Sequence, residues 1–380
     1  MNHSEKGGAR LMKHPSQRRE LAPLLAIAIV LVGLSVASLV MPDRAFSPNE
    51  NRYLQQPPEL TWKTLMDGSF TKKAEDYTAD QIVLRDVWME TASVVQRLAG
   101  RQEINGTWLG ADGRYFARVT PDTFDTRQYE KNLQQVRTFF DTNGDKDCRI
   151  MMVPTPASML ADKLPANAPL FDAAACYDTL LSLFPDAIDL RTALSADAEA
   201  MYYRTDHHWT TQGAQTAYGA WCAATGHTLR SWQLETVSTT FQGTLYSKVL
   251  LPDSAADTVA IAPAATIRSM DCDGETFDSL YAMEALEEKD HYKIFMGGNY
   301  AKVVIDTGAD TGKSLLVVKD SFANSFLPFL VEDYDTITVL DLRYFRGDVQ
   351  SLADEASDLL VLYELTNFTA DTNLYKLNKS

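Results

Sequence analysis

The sequence predicts an α/β fold, a mostly parallel sheet flanked by helices, carried behind one membrane-spanning helix. Three observations predict it. From about residue 126 onward, short apolar runs bounded by turn residues alternate with stretches of helical period. A chain of 380 residues that is 45% hydrophobic can bury a substantial core. Residues 21–41 (LAPLLAIAIVLVGLSVASLVM) carry no charge, and about 21 residues are enough to cross a hydrocarbon core of roughly 30 Å as a helix.

Residues 1–20 hold Lys6, Arg10, Lys13, Arg18 and Arg19 against Glu5 and Glu20. Such a basic flank stays in the cytoplasm and sends the rest of the chain across the membrane. A cleaved signal peptide is the alternative, with small residues at Ser35-Val36-Ala37, but the apolar run exceeds the roughly 7–15 residues of a signal h-region. The expected organisation is therefore a cytoplasmic tail (1–20), an anchor (21–41), a linker (42–65) and an extracytoplasmic domain (66–380). The whole chain carries −16, and removing the tail's net +3 leaves about −19, which argues against nucleic acid as a partner. Cys148, Cys176, Cys222 and Cys272 are too widely spaced for a zinc ribbon; three disulfide pairings are open to them, or burial as core.

In order along the chain, 42–65 reads as a polar tether containing Glu50-Asn51-Arg52, and 66–100 as helix with a turn at Asp67-Gly68, Phe70, Ala74 and Tyr77 on one face and Val87 to Leu98 continuing the pattern. Asn105-Gly106 and Asp112-Gly113 mark a hairpin. Leu133, Val136 and Phe140 mark a helix stopped at Asn143-Gly144, and Ile150-Met151-Met152-Val153 is a strand apolar on both faces. A short strand is expected at 187–190. Ala214, Ala217, Tyr218, Trp221 and Cys222 then follow helical spacing, with Thr210 or Thr211 as N-cap. Residues 231–300 read as an irregular insertion covering an active face. The alternation resumes with strands at 315–318, 337–340 and 359–363, and Phe322, Phe326, Phe329 and Leu330 suggest a helix between the first two.

In such sheets ligands gather beyond the carboxyl ends of the strands. Lys319-Asp320-Ser321 follows a strand directly, so Ser321 can project its hydroxyl there. Serine needs a base, and the base needs a group to fix its tautomer. Arg204-Thr205-Asp206-His207-His208-Trp209-Thr210-Thr211 supplies both, with His208 as base and Asp206 as its orienter. His207 points elsewhere, as a structural histidine, and Trp209 is either packing or a stacking platform for substrate. His227 reads as a helix cap, and His291 carries no signal. Arg343, beyond the strand 337–340, is either a contact for a donor or acidic sugar or a surface ion pair. Asp-His-His could also open a divalent metal site, but the phosphoesterase family known by those letters needs further aspartate motifs upstream and a glycine set shortly after the histidines, and this chain offers no match to that pattern. No metal and no cofactor is expected.

Asp206-His207-His208-Trp209 is the signature of the DHHW family, which is similar to alginate O-acetyltransferases of the SGNH-hydrolase-like superfamily. The chain resembles that family through further motifs in the same order: Glu50-Asn51-Arg52, Asp80-Gln81 with Arg85-Asp86, Asn105-Gly106, Tyr203 to Gly213, Gly297-Gly298-Asn299-Tyr300, Lys319-Asp320-Ser321-Phe322 and Asp341-Leu342-Arg343-Tyr344. The resemblance implies a flavodoxin-like SGNH sheet and a Ser321, His208, Asp206 triad. It further implies acetyl transfer to or from an extracytoplasmic polysaccharide, often beside a multi-spanning membrane-bound O-acyltransferase that brings acetyl groups across. The oxyanion would be held by the Ser321 backbone N–H and Asn299, with Tyr203, Trp209 and Arg343 as substrate contacts. Lys319 stands where the superfamily usually has glycine. A glycan esterase with the same triad, or a non-catalytic glycan-binding scaffold, are the alternatives.

Overall fold

A computed structural model of the chain describes residues 16–379. Most of the expected basic tail, residues 1–15, lies outside the described residues. Contacts divide the chain into two units. One comprises the described residues up to Pro48 together with Arg52–Met89, and the other Asn49–Asn51 together with Glu90 onward.

The first unit opens with the helix Ser16–Val40, within which Leu21–Val40 is long and apolar enough to cross a membrane, with a mean hydropathy of 2.6. The expected tether is partly ordered: Phe46–Ser47 pairs antiparallel with Arg52–Tyr53. Arg52 reaches Asp80 at 2.9 Å, Gln55 N–H donates to the same carboxylate, and Arg44 pairs with Asp86 at 3.0 Å. Arg85 lies 3.4 Å from the Asp80 carboxylate as well, so Arg52, Asp80 and Arg85 meet as one charge cluster. The helical stretch read over 66–100 opens on the expected turn at Asp67-Gly68, which follows Trp62–Met66, and divides once more into Ser69–Asp80 and Arg85–Leu98. They break at Gly68 and Leu84, both at positive φ, a conformation no α-helix contains.

The second unit is built on an eight-stranded sheet, numbered here along the chain: β1 Asp147–Val153, β2 Ile188–Asp189, β3 Ser269–Cys272, β4 Glu275–Phe277, β5 Lys302–Asp306, β6 Ser314–Lys319, β7 Thr336–Leu340 and β8 Asp358–Glu364. The order is β4-β3-β5-β7-β6-β8-β1-β2. The five strands from β7 to β2 are parallel, and β5, β3 and β4 extend them antiparallel.

Successive residues of β6 point to opposite faces. Leu315 and Val317 pack with Trp209 and with Ala214, Tyr218 and Trp221 of the helix Thr211–Thr225. Leu316 and Val318 pack on the other side with Leu133 and Val136 of Thr126–Thr142 and Tyr177 and Leu180 of Ala173–Leu183. β8 is buried at every residue, which is why its sequence is nearly all apolar.

Three expectations change here. Residues 231–300 are not wholly irregular: they form an antiparallel pair, Glu235–Phe241 with Asp257–Ile261, and supply β3 and β4. The expected hairpin is a three-stranded meander, Glu103–Ile104, Thr107–Leu109 and Tyr115–Ala117. The expected helix after β6 is two 3-10 turns, Ser321–Ser325 and Leu327–Leu330, since Pro328 cannot donate to a continuous helical ladder. The four cysteines are unpaired, so none of the three pairings is formed.

Candidate active site

Three neighbouring parallel strands end together. Thr155 lies just past β1, Asp320 and Ser321 just past β6, and Thr366 and Asn367 just past β8. Asp320 ties two of these ends. One carboxylate oxygen accepts from Glu364 N at 2.9 Å and Asn367 Nδ2 at 2.8 Å, and the other accepts from Phe322 N at 2.9 Å. Those bonds set the tight turn on which Ser321 stands. Burial raises the Asp320 pKa, against the pull of the same hydrogen bonds.

The partner loop is a closed hairpin. Tyr202 bridges Trp209, Tyr203 N–H donates to His208 O, and Thr210 caps the following helix through Gly213 N at 3.1 Å. Asp257 holds the loop from below, accepting from Arg204 N and Thr205 N at 2.8 Å each and from Thr205 Oγ1 at 2.6 Å. Within it Asp206 Oδ1 accepts from His208 N at 3.0 Å and lies 2.6 Å from His208 Nδ1. Its other oxygen accepts from Thr244 N at 2.7 Å.

On the far side of the imidazole, His208 Nε2 lies 2.8 Å from Ser321 Oγ. The ring stacks on Tyr292 with centroids 3.8 Å apart and planes 9° from parallel, and the Tyr292 hydroxyl donates to Ser321 O at 2.9 Å. Asp206 is 1% exposed and His208 5%. Burial would raise the Asp206 pKa, but His207, His208 and the Thr244 N–H outweigh it and hold the carboxyl far below its ordinary value. An ionised carboxylate on Nδ1–H leaves Nε2 as the acceptor facing Ser321, the tautomer that general-base work requires.

Of the expected residues, Asp206, His208 and Ser321 come together. Asn299 stands apart: its Oδ1 lies 3.3 Å from Lys319 Nζ, and among the described residues no hydrogen bond joins it to Ser321 or His208. Arg343 is clamped by Asp341 through Nε at 2.9 Å, which raises its pKa, and it borders a surface groove with Asp320 and Asn367. Tyr203 and Trp209, expected as substrate contacts, are buried instead. The Tyr203 ring packs edge-on against Phe241 at 5.3 Å. Trp209 is fully enclosed, and its indole N–H serves Phe322 O and Ser325 Oγ, each at 2.9 Å. Trp209 therefore holds the turn that carries Ser321.

Beside this hydrogen-bonded line lies a cavity of about 220 Å³, walled by Val119, Phe171, Leu245 and Phe322 and bordered by His207, Glu364 and Asn367. His207, expected as a structural histidine, faces this cavity with its side chain 31% exposed. Glu364 is 4% exposed, and one of its oxygens accepts from Thr366 N, Thr366 Oγ1 and Asn367 N. Its other oxygen has no partner among the described residues. Burial pushes its pKa up to about 7.

Sequence reasoning missed Thr244, Asp257, Tyr292 and Glu364. Only Gly243-Thr244 stood near a visible signal, the aromatic-rich run 241–246. The ligand atoms of Asp206, His207 and His208 lie within 4.8 Å of one another, a spacing that suits a metal ion. Both His208 nitrogens are already engaged, with Asp206 and Ser321, so an ion there would have to break those hydrogen bonds.

Residues 190–340 match the family described as DHHW protein. The fold is similar to that of a DHHW family protein from Eubacterium siraeum, with 21% identity and a TM-score of 0.61 over 73% of this chain and 96% of that one. It is also similar to Bacillus cereus PatB1 with a sulfonyl adduct, at 18% identity and a TM-score of 0.57 over 71% and 99%. The O-acetyltransferase domain of Pseudomonas putida AlgJ aligns at 16% identity and a TM-score of 0.44 over 70% and 93%. A comparison with curated proteins found no match. The stretch that holds Asp206, His208 and Ser321 is thus the one over which the chain matches the DHHW family, and the resemblance read from Asp206 to Trp209 extends from residue 190 to residue 340.

Proposed function

We propose that this chain is a membrane-anchored O-acetyltransferase of SGNH-hydrolase-like type that acts on an extracytoplasmic polysaccharide through an acetyl-serine intermediate. The observation that carries the reading is the hydrogen-bonded line from Asp206 through His208 to Ser321 Oγ, across 113 residues of sequence.

In the first half-reaction Ser321 Oγ attacks the carbonyl carbon of the acetyl donor while His208 Nε2 takes its proton. The tetrahedral intermediate collapses, the donor's oxygen leaves and receives that proton, and acetyl remains on Ser321. In the second, a sugar hydroxyl gives its proton to Nε2 and attacks the acetyl carbon, and Ser321 Oγ leaves with the proton returned. Ser321 N–H and the Asn299 amide are the oxyanion donors in this reading, each worth about 2.7–4 kcal/mol of barrier. The cavity beside His207 and Phe322 receives substrate, and Arg343 meets an acidic group on it. The helix Leu21–Val40 is the anchor, with the tail cytoplasmic and residues 66–380 outside. A membrane-bound O-acyltransferase is the partner that delivers acetyl groups.

The test uses the full chain in detergent with 4-nitrophenyl acetate and glycan oligomers. Acetylated sugar and an acetyl group on Ser321 are expected, with both lost in Ser321→Ala. A wild-type rate of 4-nitrophenol release from Ser321→Ala would overturn the reading. Acetate released with no acetylated sugar would assign the chain as an esterase instead.

A further inference from the structure

Lys319 closes β6 two residues before Ser321 and is only 2% exposed. A buried ammonium is costly unless it is paired, and its usual partner is a carboxylate. Here its hydrogen bonds go to amides, at 2.7 Å to Asn324 Oδ1 and 3.3 Å to Asn299 Oδ1, and among the described residues none goes to a carboxylate. Burial depresses its pKa to about 8, with Asp341 and Asp320 opposing.

An ammonium has three donors and no acceptor. Both amides must therefore turn their oxygens toward Lys319 and their NH2 groups away. For Asn324 the NH2 reaches Gly298 O at 3.3 Å and Asn299 Oδ1 at 3.5 Å. Asn299 is left with its oxygen doubly engaged and an NH2 that makes no hydrogen bond among the described residues. The loop that carries it turns through positive φ at Met296, Gly297 and Gly298, so its backbone is sharply bent just before Asn299. Asn324 belongs to the same turn, Ser321–Ser325, that starts with the serine.

We propose that Lys319 is a positioning residue, whose buried ammonium locks the Asn299 amide with its NH2 outward and pins the glycine loop to the turn of Ser321. The proposal rests on the acyl-serine reading above and deepens it, because it assigns the oxyanion donor's orientation to a side chain that touches no reacting atom. Lysine at this position places there the cation that a glycine would lack.

Full-length variants assayed with 4-nitrophenyl acetate test it. Asn299→Ala is expected to lower kcat by about 10²-fold, the effect of deleting one oxyanion donor. Lys319→Met, which keeps the stem and removes the charge, is expected to lower kcat about tenfold with KM within twofold, as a displaced donor forfeits part of that effect. The double variant should be no slower than Asn299→Ala alone. Lys319→Met at wild-type rate, or a further tenfold loss when it is added to Asn299→Ala, would overturn the proposal. Should Lys319→Met not fold, the isosteric Asn299→Asp at an exposed position keeps the acceptor for Lys319 and removes the NH2. It is expected to fall as far as Asn299→Ala, and wild-type activity in it refutes the proposal. Failure of the acyl-serine reading is separate, since it shows as activity surviving Ser321→Ala.

Discussion

Replacing Gly243 with alanine would set a methyl group against the Asp206 carboxylate, which is hydrogen-bonded to His208 Nδ1. Gly243 has φ −80° and ψ −165°, extended backbone open to any residue, so alanine meets no backbone strain there. Its Cβ would lie 2.7 Å from Asp206 Cγ and closer still to Asp206 Cβ and Oδ2. Carbon atoms in contact sit about 3.5–4.0 Å apart, so Asp206 must retreat by about 1 Å. That movement breaks the 2.7 Å bond from Thr244 N and the 2.6 Å contact with His208 Nδ1. A misplacement of about 1 Å costs about 10²-fold in rate, and complete loss of the orienting carboxylate about 10⁴-fold. Gly243→Ala is therefore expected to lower kcat for 4-nitrophenyl acetate by at least about 10²-fold, with KM little changed and stability lower by about 1–3 kcal/mol. Gly144→Ala is the control, since a Cβ there meets nothing closer than 3.6 Å. A Gly243→Ala protein that melts cooperatively and keeps kcat within threefold of wild type would refute the reasoning that Asp206 acts through its hydrogen bond to His208.

Glu364→Gln bears on the buried carboxyl beside the cavity. The folded protein holds this proton up to about pH 7 against 4.5 for a free glutamate, so wild-type stability falls as pH rises between those values. At about 1.4 kcal/mol per pH unit the loss reaches about 3 kcal/mol by pH 8, which the amide escapes. Denaturation midpoints should favour the variant at pH 8 and converge near pH 4.5; a gap independent of pH would rule out Glu364 as the titrating group. Trp209→Phe removes the indole N–H from Phe322 O and Ser325 Oγ, both buried, at a cost of about 1–3 kcal/mol. Urea midpoints read this directly, and an unchanged midpoint would show that Trp209 does not hold the turn.

Much of the parallel core was legible because each of its strands is a short apolar run enclosed by two helical layers. β1, β6, β7 and β8 all contain the segments expected of them, and the helix Thr211–Thr225 starts at one of its two expected caps, Thr210. β5 went unread because only Val303 and Ile305 of its five residues are buried, too weak an alternation to stand out. The turns after Ser321 read as one helix because Phe322, Phe326 and Phe329 do share a core, although Pro328 divides the backbone. Trp209 gave a misleading signal for a related reason: an indole beside catalytic residue types suits stacking and packing equally, and burial decides between them.

Interactions confined to a few residues were settled along the chain. The apolar length of 21–41, the Thr210 cap, the Asp206 carboxylate two residues from His208 and the place of Ser321 at a strand's end each depend on neighbours within a helical turn or a tight loop. The remaining questions are distances between residues far apart in sequence. Ser321 reaches His208 across 113 residues, Thr244 holds Asp206 across 38, and Asp257 holds Thr205 across 52. No periodicity records such distances, because they follow from how the sheet twists and how its two helical layers bury it. The same packing encloses Lys319 and Glu364, and only enclosure turns a lysine and a glutamate that would be ordinary on a surface into groups with shifted pKa values and fixed partners.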